Sequence, residues 1–240
     1  MPSIVLAVPG LWKARTDAIA ASMDHGLLWS GEAGLMLDAA RGEHLSFELY
    51  PPDPRMALAF KIGSGGLLPK ATLDQLARHT MTLYLVAEEP ASVEVAFRAM
   101  RFAKALLDAG GLAVKAECSG VAHSAEAWRR LCELRLPELA CYHGLTIRVR
   151  EPKEHVTYSS GMHQLGLPDA VVPGDAPAQS ALLDLFAKYQ LIEKPRLADG
   201  HTFSEAEDAP RYRLRFGEDT RFEKGDLFHN PFGRWRFEPS

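Results

Sequence analysis

The sequence is poor in cysteine and contains no long apolar run. Its 240 residues include only three cysteines, Cys118, Cys132 and Cys141, an odd number that does not suit a disulfide framework and indicates a reducing compartment. No apolar stretch approaches the ~20 residues of a membrane-spanning helix. The apolar start of the chain has no basic region and is interrupted by Pro9-Gly10, so it predicts a first β-strand and not a signal peptide. We therefore expect a soluble, cytoplasmic protein.

The sequence also lacks a strong charge of either sign. A formal net charge of -4 gives no general attraction to nucleic acid or to an anionic membrane. Hydrophobic residues make up 47% and charged residues 24% of the chain, proportions that exclude a disordered, collagenous or coiled-coil protein. Arginine outnumbers lysine 18 to 9 and asparagine occurs once, a bias typical of a GC-rich bacterial genome.

Two segments have the pattern of a strand–helix–strand unit. In the clearer unit, apolar residues recur at helical spacing over residues 91–109, and Gly110-Gly111 ends the helix. Phe97, Met100 and Leu107 are expected on its buried face. Units of this kind predict a mixed α+β fold, and specifically a ferredoxin-like α/β sandwich with both helices on one face of the sheet. The strands of the clearer unit are predicted at 81–86 and 112–118, and the elements of the N-terminal unit at 3–8, 12–23 and 45–49.

A strand-rich extension is predicted after this core. The segment Pro168–Pro177 is rich in proline and glycine and is the best candidate for a linker. We therefore predict a sandwich core over residues 1–168 and a helix-plus-strand extension over residues 169–240, packed on the same domain. The predicted elements around the linker are a hairpin near 145–160, a helix at 178–192 and a strand at 212–216.

The most suggestive segment for binding runs from Cys118 to Ser124. It follows a predicted strand and begins a helix, whose free N–H groups can hold an anion. Gly120 permits a close backbone approach, His123 and Ser124 lie beside it, and Lys13 arrives from the other unit. These four residues are the candidate ligand-binding set. A thiol–imidazole pair, with Cys118 as nucleophile and His123 as base, is a second functional interpretation. The structural alternative is that Ser124 only caps the helix, that His123 is an ordinary satisfied side chain and that Cys118, at a strand end, is a buried small residue.

Other patterns have structural explanations. The run Gly63–Gly66 lacks the Lys-Ser/Thr ending of a phosphate loop and fits a helix–helix connector. The residues Cys141, His143, His155 and His163 match no zinc-binding spacing. Arginines alternate with aromatic residues near the C-terminus, as on any half-exposed strand, and acidic neighbours offset them. We predict no catalytic set, no metal and no cofactor.

Four phrases together carry a family resemblance. They are VPGLWK at 8–13, GLAVK at 111–115, GVAHS at 120–124 and GMHQLGLPD at 161–169. The sequence resembles a bacterial domain of unknown function, the forty-two-sixty-one type. The resemblance spans most of the chain and implies a bacterial, non-secreted protein. It brings no activity, cofactor or catalytic residue.

The sequence leaves two functions open. The first is a non-enzymatic binding or protein-interaction domain, since no acid–base pair, nucleophile motif or metal spacing stands out. The second is a small-molecule or anion-binding enzyme that uses the loop Gly120–Glu126. The expected partner is a protein or a small ligand, and neither nucleic acid nor a membrane. A deep pocket with converging polar groups favours the second function and a flat apolar patch the first.

Overall fold

The computed structural model describes residues 3–30 and 34–240. Over these residues the chain forms seven α-helices and thirteen β-strands in two sheets, and this confirms the predicted mixed α+β class. The chain divides into two compact units, Met1–Gly144 and Leu145–Ser240. Within the described ranges, no helix has the length and apolar character needed to cross a membrane.

The first unit contains one sheet and most of the helices. Its strands are β1 (Ile4–Gly10), β2 (Leu27–Ser30), β3 (Leu35–Asp38), β4 (Glu43–Tyr50), β5 (Met81–Ala87), β6 (Ala113–Ala116) and β7 (Ala122–Ser124). Its helices are α1 (Arg15–Met23), α2 (Met56–Gly63), α3 (Lys70–Leu76), α4 (Val93–Asp108), α5 (Ala125–Cys132) and α6 (Pro137–Leu145), the last of which ends at the division between the units.

The strand order of this sheet is β2-β3-β4-β5-β1-β6-β7, with every neighbouring pair antiparallel. The strands β1, β4, β5 and β6, connected through α1 and α4, form the βαββαβ arrangement of a ferredoxin-like sandwich. As expected for such units, β5 and β6 are joined by α4 and separated by β1. The hairpin β2–β3 is inserted between α1 and β4. The helices α1 and α4 contact each other, in agreement with the prediction that they share a face.

The buried face of α4 differs from the sequence prediction. Met100 and Leu107 are buried as expected, but Phe97 is only half-buried and lies under the guanidinium of Arg101, 5.1 Å from its ring centroid. Phe102 is the fully buried aromatic of this helix. The difference arises because α4 packs against β1 and β5 of the sheet as well as against α5, so its buried arc is wider than the predicted stripe and includes Phe102.

A second apolar cluster lies under α2 and α3. Met56, Phe60 and Leu76 pack with Ala113 of β6 and Ala122 of β7. The run Gly63–Gly66 connects the two helices, as predicted. Since the Cβ of any larger residue at 63 would collide with the carbonyl oxygen of Gly120, the end of α2 lies directly against the β6–β7 turn.

The second unit is built on a six-stranded sheet with the order β11-β12-β13-β10-β9-β8. The pair β10–β13 is parallel and the other pairs are antiparallel. One face packs against α7 through a cluster that includes Val172, Phe186, Trp235 and Phe237. The elements are β8 (Ile147–Glu151), β9 (Val156–Ser160), a 3-10 helix (Met162–Leu165), β10 (Asp169–Pro173), α7 (Pro177–Lys188), a π-helical turn (Tyr189–Glu193), β11 (Thr202–Phe203), β12 (Tyr212–Gly217) and β13 (Arg234–Pro239).

The segment predicted as a linker, Pro168–Pro177, contains β10, an interior strand of this sheet. The compact units divide between Gly144 and Leu145, before the predicted boundary at residue 168. The physical reason is that the hairpin β8–β9 pairs with β10, so these strands belong to the second sheet.

Candidate functional site

The predicted binding loop places Ser124 and His123 side by side in structural roles. The hydroxyl of Ser124 accepts a hydrogen bond from the Ala127 amide at 3.1 Å and so caps α5. The ring of His123 lies 5.6 Å from that of Trp128, and its Nε2 is 3.1 Å from the Gly144 carbonyl oxygen. Burial lowers the pKa of His123, with the Gly144 hydrogen bond partly opposing it. His123 is therefore a packed, neutral side chain at neutral pH.

Gly120 and Lys13 lie at different places in the sheet. Gly120 is in the tight turn between β6 and β7, with a φ of +77° that favours glycine. Lys13 is exposed and follows β1. Because β1 and β6 are antiparallel, with Gly10 opposite Gly111, the chain leaves β1 at the end of the sheet opposite to the Gly120 turn. The structure thus brings together two of the four predicted residues; ligand binding by them stays a prediction.

The densest group of buried polar side chains lies in the second unit. We call it the polar centre; its members are Ser159, His163, Asp169, Asp219, His229 and Asn230, all less than a tenth exposed.

Asp169 begins β10 and lies at the bottom of the polar centre. Its Oδ1 accepts hydrogen bonds from the Ser159 hydroxyl at 2.9 Å and from the Met162 amide at 3.3 Å, and its Oδ2 from the Asn230 side-chain amide at 2.7 Å. Burial raises the pKa of Asp169 to about 7, although these three donors favour the charged form. The carboxyl group therefore gains and loses its proton near neutral pH.

Two glycines shape the chain around this carboxyl. Gly161 (φ +105°) and Gly166 (φ +75°) flank the 3-10 helix in left-handed conformations that side chains rarely adopt. The resulting turn directs the Met162 amide at Asp169 and buries His163. The phrase GMHQLGLPD thus encodes a folded loop that ends on the buried acid.

Asn230 connects the two carboxylates of the polar centre. Its side-chain amide donates to Asp169, while its backbone amide donates to Oδ2 of Asp219 at 3.0 Å. Oδ1 of Asp219 accepts from the Arg221 amide, also at 3.0 Å. Held by two backbone donors, Asp219 lies with its Oδ2 3.8 Å from Nδ1 of His229, just beyond hydrogen-bond length.

His163 is buried beside the same groups. Burial lowers the pKa of His163 to about 4, with the Leu227 backbone and the Asp219 charge partly opposing it. Neither ring nitrogen of His163 meets strict hydrogen-bond geometry with a described residue, although the Leu227 backbone interacts with the ring and favours its protonated form. Nδ1 of His229 is likewise buried and unpartnered. Unpartnered buried nitrogens are uncommon in folded proteins.

A pocket of about 180 Å³ opens onto the polar centre. Its polar and charged wall consists of Asp219, His229 and Asn230 together with the mutually paired Glu218 and Lys224, and Phe216 and Phe232 supply apolar surface. This combination suits a small polar ligand that forms a hydrogen bond with His229. Among residues 3–30 and 34–240, no group of three or more His, Cys, Asp or Glu side chains is arranged to hold a metal ion.

Sequence patterns alone do not identify the polar centre. Asp169 and Asn230 are 61 positions apart, and only the strand order brings them together. Two signals pointed to the region without assigning chemistry: the phrase that contains Asp169, and the single asparagine of the chain, which is Asn230.

The chain matches no protein-family model, no curated protein and no solved structure. Membership of the domain-of-unknown-function family therefore stays a prediction.

Proposed function

We propose that this protein is a binding domain whose second unit holds a small polar ligand in the pocket at His229. The observation that carries the proposal is the buried Nδ1 of His229, which lines this pocket and has no hydrogen-bond partner among the described residues. Because buried polar groups are almost always hydrogen-bonded, a ligand or ordered water is needed to complete the polar centre.

The residues that line the pocket also indicate which chemical groups the ligand carries. Asp219 is fixed by two backbone amides and presents negative charge, so a ligand with an N–H or O–H donor is favoured there. Phe216 and Phe232, 51% and 40% exposed, provide apolar walls for a ring or short chain. The ligand is thus a small molecule with a hydrogen-bond donor at one end and an apolar body.

A fragment screen on the full chain tests this proposal. Small amines and hydroxyl compounds are titrated while the histidine ring resonances are followed by NMR. We expect a compound that shifts the His229 resonances at saturable concentration and no longer binds His229→Gln. The exposed His201 supplies a matched control, and His201→Gln should bind as the unaltered protein does. A screen in which no compound moves the His229 resonances, or in which both variants bind alike, would contradict the proposal.

A second candidate function is docking of a protein partner on α2. Leu58 and Ile62 are one helical turn apart and 59% and 70% exposed, and Leu67 in the following connector is 89% exposed. Grouped exposed aliphatic side chains are typical of protein-interaction surfaces.

Affinity purification from the native host tests the docking function. We expect Ile62→Ser to lose a co-purifying protein that is retained by Ile192→Ser, a control that removes a 45% exposed isoleucine from the second unit. Equal recovery of the same proteins by both variants would refute docking on α2.

We further propose a bacterial origin and a cytoplasmic location. The excess of arginine over lysine supports the first, and three unpaired cysteines support the second.

A further inference from the structure

Three arginines of the second unit converge on the sheet face that points away from α7. Arg234 and Arg236 alternate along β13 with Trp235 and Phe237, whose side chains are buried against α7. The alternation directs both arginines to the other face. Arg221, from the segment after β12, reaches the same face.

The pairing of β10 with its neighbouring strands places these arginines next to apolar side chains on the same face of the sheet. Val171 of β10 is paired with Arg236 on one side and with Tyr158 of β9 on the other. The guanidinium of Arg221 lies over the Tyr158 ring, 3.9 Å from its centroid. A pocket of about 320 Å³ lies here, lined by the three arginines, the apolar side chains Val156 and Val171, and Pro173.

The positive charges of this pocket are incompletely neutralised. Arg221 is paired with Glu154 at 2.7 Å. The ion pair of Arg234 with Asp219 is long, at 3.9 Å, and the already paired Glu154 is the other carboxylate that attracts Arg234. Glu238, at the rim, is paired with Arg215. Arg236 has no ion pair with any residue in the described ranges.

Arg234 shows that these charges are close together and short of acceptors. Burial lowers the pKa of Arg234, and repulsion from Arg236 and Arg221 lowers it further. One of its Nη atoms donates to the Thr220 hydroxyl at 2.8 Å, but its buried Nε has no acceptor among the described residues. An unsatisfied buried donor on a charged group is costly, and an oxyanion would satisfy it.

We infer that the pocket formed by Arg221, Arg234 and Arg236 binds a small organic molecule through a phosphate or carboxylate group. A guanidinium group can donate two parallel hydrogen bonds to two oxygens of a phosphate or a carboxylate. The floor of Val156, Val171 and Pro173 receives the apolar part of the ligand. The rim carboxylates Glu154 and Glu238 would repel an extended polyanion, which favours a small ligand over nucleic acid.

This pocket has no lining residue in common with the pocket at His229, so either site can fail without the other.

Calorimetric titration of the full chain with four probes tests the inference. The probes are inorganic phosphate, phenyl phosphate, benzoate and a short single-stranded oligonucleotide. We expect phenyl phosphate or benzoate to bind more tightly than inorganic phosphate, because each combines an oxyanion with an apolar ring. If phenyl phosphate binds more tightly than benzoate, the site prefers a phosphate group; if benzoate binds more tightly, it prefers a carboxylate group. Binding should weaken as salt is added.

Two arginine variants locate the binding. Arg236→Ala should weaken the binding by at least about tenfold, the loss expected for one charge-assisted contact. Arg213 is exposed, lies on β12 and does not line the pocket, so Arg213→Ala should bind normally. Since both side chains are solvent-exposed, neither change should unfold the protein.

Three results would overturn the inference. The first is the absence of saturable binding by phenyl phosphate and benzoate. The second is an equal effect of Arg236→Ala and Arg213→Ala, which would indicate general charge attraction. The third is a preference for the oligonucleotide over the small probes, which would show that the surface binds nucleic acid.

Discussion

At the scale of single residues, Asp169 and His163 link the stability of the protein to pH in opposite directions. The pKa of Asp169 is raised by burial and that of His163 is lowered by burial. Each group is therefore neutral in the fold over a range in which the unfolded chain would carry its charge. Between about pH 4 and 6.5 the two contributions to the free energy of unfolding change in opposite directions. They therefore partly cancel in the unaltered protein, and neither is seen separately in its pH dependence.

Replacing Asp169 should uncover the contribution of His163. The folded protein keeps a proton on Asp169 that the unfolded chain releases above pH about 4. The contribution of Asp169 to the free energy of unfolding is therefore complete below that pH and is lost as the pH rises through about 7. Over this pH range the contribution of Asp169 to the free energy of unfolding changes by on the order of 4 kcal/mol. In Asp169→Asn, the free energy of unfolding should rise more steeply from pH 4.5 to 7 than in the unaltered protein. Urea unfolding at several pH values measures this slope, and an unchanged slope would show that Asp169 is ionised in the fold.

Replacing His163 should have the reverse effect. Its neutral form stabilises the fold above pH about 6.5, and the contribution is lost as pH falls to about 4, a change on the order of 3 kcal/mol. In His163→Gln, the free energy of unfolding should therefore fall between pH 4.5 and 7, where only the Asp169 contribution remains. The same urea series provides the measurement. A slope in the same direction as that of Asp169→Asn would contradict the assignment of opposite roles.

At the scale of secondary-structure elements, α4 shows what periodicity predicts and what it misses. The apolar spacing, the Ser92 cap and the stop at Gly110 are local, and the observed helix, Val93–Asp108, agrees closely with the predicted 91–109. Which of Phe97 and Phe102 is buried depends on the contacts of α4 with β1, β5 and α5, and these elements come from other parts of the chain. Helical spacing identifies an apolar arc, whereas the neighbouring elements determine its limits.

Alanine substitutions on α4 distinguish the two phenylalanines. Phe102→Ala should lower the free energy of unfolding by about 3–5 kcal/mol, because the side chain is 1% exposed and its loss leaves a cavity. Phe97→Ala should cost less, about 1–2 kcal/mol, since that ring is half-buried. Chemical denaturation of both variants gives the comparison. Equal losses would mean that Phe97 contributes as much to the core as Phe102.

The strand β10 shows where local reasoning fails. Its residues, Asp169–Pro173, stand between prolines and a glycine, which is the composition of a linker. Its strand identity depends on pairing with β9 and, in parallel, with β13, more than sixty residues away in sequence. The polar centre was missed for the same reason. Asp169 is the first residue of β10, Asn230 lies shortly before the start of β13, and these two strands are adjacent only in the folded sheet.

At the scale of the whole molecule, the sequence predicted the mixed α+β class and the sandwich of the first unit. Each βαβ unit is continuous in sequence, so its pattern can be read locally. The second sheet joins strands that are distant along the chain. Local alternation predicted its hairpin β8–β9 and its strand β12, but not the interior strand β10 or the order in which the strands pair.

The thiols give a prediction for the chain as a whole. Burial raises the pKa of Cys118 to about 11 and that of Cys132 to about 12, and it also raises that of Cys141. All three are free in the structure. At pH 8 the native protein should react slowly with a thiol reagent, because the thiolate is the reacting form. After unfolding without a reductant, three thiols per chain should react quickly; a count of one would show that two are joined in a disulfide.

The interior position of β13 has a consequence for how the second unit is made. The strands β8, β9 and β10 are consecutive and can pair as soon as they leave the ribosome. By contrast, β12 and β11 reach that group only through β13, which is synthesised after them. Until residues 234–239 emerge, the nascent sheet exists as two fragments with open edges. Chaperones that shield such edges would therefore have their longest opportunity to act on this segment.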